Sequence, residues 1–229
     1  MLLDAVDQAL EDSGYKQREF DSKRTGVIVG GIFGGEFGNQ LQMGMRLHEF
    51  MDDVGNLLRP LGADPGELEK LTEQYGDLLL SRMPALVDET GSFTSSTLAS
   101  RCTKTFDLMG GATAIDSGET SGLAAVHLAT LMLRSGQCDM MIVGAGQRSA
   151  GFTAFENLIG NERLAENGQM QPLFGSGQYV PGEGVGVVIL KRLESARQDG
   201  DNIHAVIRGI GTASGIDLQR NVRLSIERA

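Results

Sequence analysis

Ala114-Ile115-Asp116-Ser117-Gly118-Glu119-Thr120-Ser121-Gly122-Leu123 reads as a strand end, a tight turn and a helix start, with a carboxylate in the turn. The residues that follow, Leu123, Ala124, Val126, His127, Leu128, Leu131, Met132 and Leu133, are nearly all apolar. An all-round apolar helix is a buried one, so this spacing predicts a buried helix with Glu119 at its inner tip. A side chain at such a tip sits at the positive end of the helix dipole, where nucleophiles are commonly placed. Glu119 is either a chemical group or the replacement of one.

Outward from that turn the chain alternates helix and strand, the order a layered α/β fold requires. Ser95 to Leu108 carries Leu98, Ala99, Cys102 and Phe106 on one helical face and leads into the strand Ala112 to Ile115. Downstream, Met140 to Gly146 reads as a buried strand. Upstream, Met1 to about Ser13 is an amphipathic helix stopped by Gly14, and Thr25-Gly26-Val27-Ile28-Val29-Gly30 is a short buried strand. Arg46 to about Met83 is mainly helical and is broken by Pro60 to Gly66.

Hydrophobic residues make up 41% of the 229-residue chain and charged residues 22%, enough apolar material for a real core. The formal charge of -10 argues against nucleic acid or an anionic membrane as the partner. No apolar window of about 18 residues is present, and the first residues carry Asp4 where a secretory signal has basic residues, so the chain reads as cytoplasmic. Cys102 and Cys138 do not form a Cys-x-x-Cys pair or a disulfide framework and read as buried fillers. Gly30, Gly31, Gly34, Gly35 and Gly38 follow a strand, but not in the Gly-x-Gly-x-x-Gly spacing of a dinucleotide cradle, and Gly144-Ala145-Gly146 lacks the third glycine.

Four stretches in one order resemble the β-ketoacyl synthases, the condensing enzymes of fatty acid and polyketide synthesis. They are Ala114 to Ala129, Leu133 to Gly146, Tyr179-Val180-Pro181-Gly182-Glu183-Gly184 with the apolar run to Leu193, and Asp199 to Gly209, which resembles the family's next strand. The resemblance implies a thiolase-like layered αβαβα fold, here the N-terminal half only, with a mixed sheet and a buried helix after the active-site turn. It implies one incomplete domain over residues 1–229, lacking the opening strand and the C-terminal half. The region from Arg46 to Ser92 is longer than in ordinary modular synthases and is similar to the insertion of the polyunsaturated fatty acid type.

The family's active-site pattern is Asp-Thr-Ala-Cys-Ser-Ser, and counting back from Leu123-Ala124-Ala125-Val126-His127-Leu128-Ala129 puts the family cysteine on Glu119. Its catalytic histidines have no counterpart: His48 falls in the inserted helices, His127 in the helix after the turn and His204 in the expected last strand. Three readings of Glu119 stay open. Asp116-x-x-Glu119 has the spacing of a capping box, which makes Glu119 structural. Relatives with glutamine at the cysteine position act as chain-length factors beside a working synthase, or as decarboxylating loading domains that make a starter unit. On the family's pattern the partners are an acyl carrier protein with its phosphopantetheine arm and an intact synthase domain, in a homo- or heterodimer paired along Ala112 to Ser117. No cofactor or metal site is expected in the chain itself. Glu183 reads as a structural ligand of nearby backbone, Arg101 and Lys104 as a solvated face, and Phe152, Phe155 and Phe174 as core or acyl-tunnel lining.

Overall fold

The computed structural model describes residues 1–32, 44–82, 95–147, 151–165, 168–169, 178–215 and 217–229. Its elements are α1 (Leu2–Asp12), β1 (Thr25–Gly30), α2 (Leu47–Leu58), α3 (Pro65–Arg82), α4 (Ser95–Thr105), β2 (Ala112–Ile115), α5 (Ser121–Arg134), β3 (Met140–Gln147), α6 (Phe152–Gly160), β4 (Gly184–Lys191), α7 (Leu193–Gln198) and α8 (Leu218–Arg228). Gly34, Gly35, Gly38, Phe174 and the Met83 to Ser92 stretch lie outside the described residues.

The sheet has four strands in the order β2-β1-β3-β4. β1 runs parallel to β2 and to β3, with Val27 opposite Ala112 and Ile142, and β3 runs antiparallel to β4, with Val143 opposite Val188. The sheet is thus mixed, as the sequence led one to expect. Every residue of β1 is buried, because both faces of this strand are covered. Side chains alternate across a strand, so Val27 and Val29 join Val6, Leu10, Ala99 and Cys102 of α1 and α4 on one face. Ile28 points the other way, to Ala125, Ala129 and Leu133 of α5.

β2 and β3 flank β1, so the helix connecting them has to cross over β1. α5 lies so close that a methyl group built on Gly30 would overlap the Ser121 carbonyl. Small residues make the contact possible: Ser121, Ala125 and Ala129, four apart, are buried positions of α5, and Leu133 continues the buried row. The outer face is open, with Leu123 75% exposed. The expectation of a helix buried all round is therefore corrected: an apolar sequence without periodicity does not say how many faces will find neighbours, and here the sheet covers one.

The end of α5 is held by charge. Asp139 pairs with Arg24 before β1 and Arg192 after β4. Arg192 also donates to the Leu133 carbonyl, in the last turn of the helix, at 2.8 Å and to the Cys138 carbonyl, in the segment before β3, at 2.9 Å. A second cluster ties the turn after α1 to the far end of β4: Lys191 donates to the Tyr15 hydroxyl at 2.8 Å, which donates to Asp201 at 2.8 Å. The residues after Asp201 do not form the expected strand, and no ladder to β4 is present among the described residues there. Ile203, Val206 and Ile207 remain partly exposed, and strand propensity alone does not make a strand without a partner surface. Cys102 and Cys138 are both free and buried, as expected.

Two outcomes follow from this packing. Gly30→Ala is expected to lower the unfolding free energy by about 1–3 kcal/mol, the usual cost of overpacking, as read from urea denaturation. The hydrogen bonds from Arg24 and Arg192 hold the Asp139 carboxyl down at about 2. A folded-state value below the unfolded one gives stability that is present above about pH 4 and is lost as pH falls towards 2. Asp139→Asn is expected to flatten that acid limb in melts recorded across the same range.

Candidate functional site

β2 ends at Ile115 and α5 begins at Ser121, and the five residues between them fold into a hydrogen-bonded turn. The Asp116 carboxylate accepts from the Gly118 amide at 3.1 Å, and Gly118 takes φ +57°, a conformation glycine adopts without strain. The Ser121 hydroxyl accepts from the Ser117 amide at 2.9 Å and donates to the Gly118 carbonyl at 2.5 Å. The Thr120 hydroxyl donates to the Ser117 carbonyl at 2.8 Å. The turn is closed by its own serines, threonine and aspartate.

That closure corrects the capping-box expectation. Thr120, not Asp116, precedes the helix, and it makes no side-chain cap bond. Asp116 is occupied by Gly118 instead, because an Asp two residues before an amide forms a local turn more readily than a long-range cap. Glu119 lies outside the helix, is 57% exposed and is not at a buried inner tip.

Glu119 is paired across the chain. Arg163 Nη1 donates to Glu119 Oε1 at 2.5 Å, and its guanidinium carbon lies 5.4 Å from the centre of the Tyr179 ring. Backbone bonds fix the relation of the two: Tyr179 donates to the Arg163 carbonyl at 2.9 Å, and Ala165 donates to the Tyr179 carbonyl at 3.2 Å. The hydrogen bond to Glu119 raises the Arg163 pKa, and burial raises that of the Tyr179 phenol. Sequence reading missed Arg163 and Tyr179. Nothing in the spacing of residues 44 and 60 positions downstream announces that a loop returns to the turn.

Glu119 also lines an apolar groove of about 310 Å³. Gly122, Leu123 and Val126 line it from α5, Val143 and Ala145 from β3, and Gly186 and Val188 from β4. An uncharged chain of methylenes matches such walls, and the one charged residue among those lining them, Glu119, is paired with Arg163.

The other residues singled out by sequence do not gather here. His48 lies exposed on α2, and His127 is part-exposed on α5. His204 is in irregular chain 3.4 Å from Asp12 and not in a strand. Phe155 sits on α6 and is partly exposed, while the side chains of Phe152 and Phe174 lie outside the described residues. Glu183, Arg101 and Lys104 are exposed. Among the described residues no three His, Cys, Asp or Glu side chains form a metal cluster, and no helix is long and apolar enough to cross a membrane.

Comparison with known proteins places this geometry. Residues 1–196 match the family model described as the N-terminal domain of β-ketoacyl synthases. One component of the polyunsaturated fatty acid synthase of a Thraustochytrium species is 31% identical over 226 residues, 91% of this chain and 7% of that protein. A highly reducing polyketide synthase of Didymella fabae is 40% identical over 146 residues, 62% of this chain and 8% of that protein. Among solved structures, an oxazolomycin ketosynthase domain from Streptomyces albus superposes with a TM-score of 0.62 at 28% identity, over 93% of this chain and 31% of that one. The chain thus spans under a tenth of the length of these curated relatives. Its parallel core, its crossing helix and the turn between them are those of a thiolase-like condensing fold, and the chain belongs to the β-ketoacyl synthase family.

Proposed function

We propose that this chain is a condensation-incompetent β-ketoacyl synthase-like domain of a fatty acid or polyketide synthase, acting as the chain-length-factor-type partner of an active synthase. The observation that carries the reading is the carboxylate of Glu119, ion-paired to Arg163, in the turn between β2 and α5. Condensation holds the growing acyl chain as a thioester, and forming it takes a thiolate. A carboxylate is a far poorer nucleophile towards a thioester, and the anhydride it would give lies higher in energy than the thioester.

Neither cysteine offers a substitute. Cys102 and Cys138 are buried in separate clusters on the two faces of the sheet, and burial raises both thiol pKa values. The apolar groove beside Glu119 supports a role in measuring an acyl chain delivered on the phosphopantetheine arm of an acyl carrier protein. β2, at the end of the strand order, supports pairing with a second synthase domain along Ala112 to Ser117. An ionised Glu119 repels the carboxylate of a malonyl group, which disfavours the alternative of a decarboxylating loading domain.

After incubation with acyl-CoA or an acyl-loaded carrier protein, the chain is expected to show no added acyl mass in intact-protein mass spectrometry. A stable adduct on Glu119 would overturn the partner reading. In the complete synthase module, Glu119→Gln is expected to leave carbon dioxide release from malonyl carrier protein at the same background rate. Release that depends on Glu119 would make the domain a loading decarboxylase. Light scattering of a mixture with an intact synthase domain is expected to show a heterodimer.

A further inference from the structure

Arg163 reaches Glu119 from a helix end that is held in a strained shape. α6 stops through two backbone bonds: the Glu162 amide donates to the Ile159 carbonyl at 3.0 Å, and the Arg163 amide donates to the Leu158 carbonyl at 2.8 Å. A stop of this kind turns on a residue at positive φ, where glycine is usual because a Cβ crowds the backbone there. Here that residue is Glu162, at φ +55°. Strain of this sort persists only where the surroundings hold it, and it gathers at sites that need a fixed direction.

The next residue is Arg163, and both of its backbone groups are taken. Its amide is bound to the end of α6, and its carbonyl accepts from the Tyr179 amide at 2.9 Å. Ala165 donates back to the Tyr179 carbonyl, so Leu164 and Tyr179 form a short parallel bridge. The guanidinium lies 5.4 Å from the centre of the Tyr179 ring and ends on Glu119 Oε1. Helix end, bridge and ring together aim the side chain at position 119.

Among the described residues, the charged or titratable groups around that position are Asp116 in the same turn and, from the chain after α6, Arg163 and Tyr179. Asp116 bonds the Gly118 amide within the turn. The residues of α5, β3 and β4 that line the groove beside Glu119 are uncharged. The cation facing position 119 is therefore Arg163.

We propose that Arg163, aimed by the strained backbone at Glu162, is a positioning residue that makes position 119 a site for a negatively charged side chain. In this chain that side chain is a carboxylate, and a cysteine put in its place would be held as a thiolate. The inference follows from the geometry of the pair, and it stands whether the domain is the partner of a synthase or a loading domain.

In the test, Glu119→Cys is alkylated with iodoacetamide from pH 5 to pH 10 and followed by mass spectrometry, with the buried Cys102 and Cys138 as unreactive internal controls. The thiolate is the reacting form, so the midpoint of the profile reports how well the site holds an anion. The pair is about half exposed, with side chains at 42% and 57%, which keeps the shift modest. The midpoint is expected about half a pH unit or more below that of Glu119→Cys/Arg163→Gln, with Glu119→Cys/Arg163→Lys in between, and the gap is expected to shrink as salt rises. Glu162→Gly, added to Glu119→Cys, is expected to leave the midpoint in place, because glycine is at ease at positive φ. Glu162→Val is expected to move it as far as Arg163→Gln does, because a β-branched residue is not. Equal midpoints with and without Arg163 would overturn the anion site, and an unchanged midpoint in Glu162→Val would overturn its aiming by the helix end. A purely structural Arg163 would change the melting temperatures of these variants and leave the midpoints together. Should Glu119→Cys fail to fold, the native chain still decides: the Arg163 Nη signals in nitrogen-15 NMR are expected to be split by hindered rotation and to merge in Glu119→Gln, whereas signals already merged in the native chain would overturn the proposal.

Discussion

The contact on which the rest of the structure depends is the approach of the first turn of α5 to the C-terminal end of β1. A helix linking two strands that lie on either side of a third has to pass over that third strand. Here it does so at a distance that only Gly30 permits, with the Ser121 carbonyl where any side chain would have been. The turn before α5 is thereby pinned over the sheet, and Glu119 with it. The small buried residues of the helix, Ser121, Ala125 and Ala129, are the consequence of the same close approach.

Polar groups at the edges keep that arrangement in register. Asp139 sits between one arginine that precedes β1 and another that follows β4, and Arg192 also donates to the Leu133 carbonyl at the end of α5. Hydrogen bonds to charged groups contribute more than neutral ones, and here they join segments far apart in the chain. At the other end of the helix the turn satisfies itself through Asp116, Ser117, Thr120 and Ser121, and the carboxylate of Glu119 faces Arg163. The site is therefore a pair of opposite charges beside an apolar groove.

The α2–α3 hairpin follows a different logic. Its helices bury one stripe each against the other and leave a second stripe open, so the hairpin is an appendage to the condensing fold with a surface of its own.

By itself the sequence determined most of the strands and helices and their order, because each is a local pattern: the apolar run at Thr25 to Gly30, the spacing in α1, the break at Pro60, the small residues around the turn. The count that sets Glu119 against the family's cysteine is likewise a matter of sequence, since counting along a motif needs no third dimension. Which faces those elements cover was decided by the tertiary structure. Leu123 and Ala125 are both apolar, and only the crossing of α5 over β1 decides that one is open and the other buried. Ile203 to Ile207 has the composition of a strand, yet it forms no ladder to β4 among the described residues and stays irregular. Arg163 reaches Glu119 because a loop after α6 returns to the turn before α5. Pairing across 44 residues is a property of the packed sheet and its loops, and it leaves no periodicity in the chain to be read.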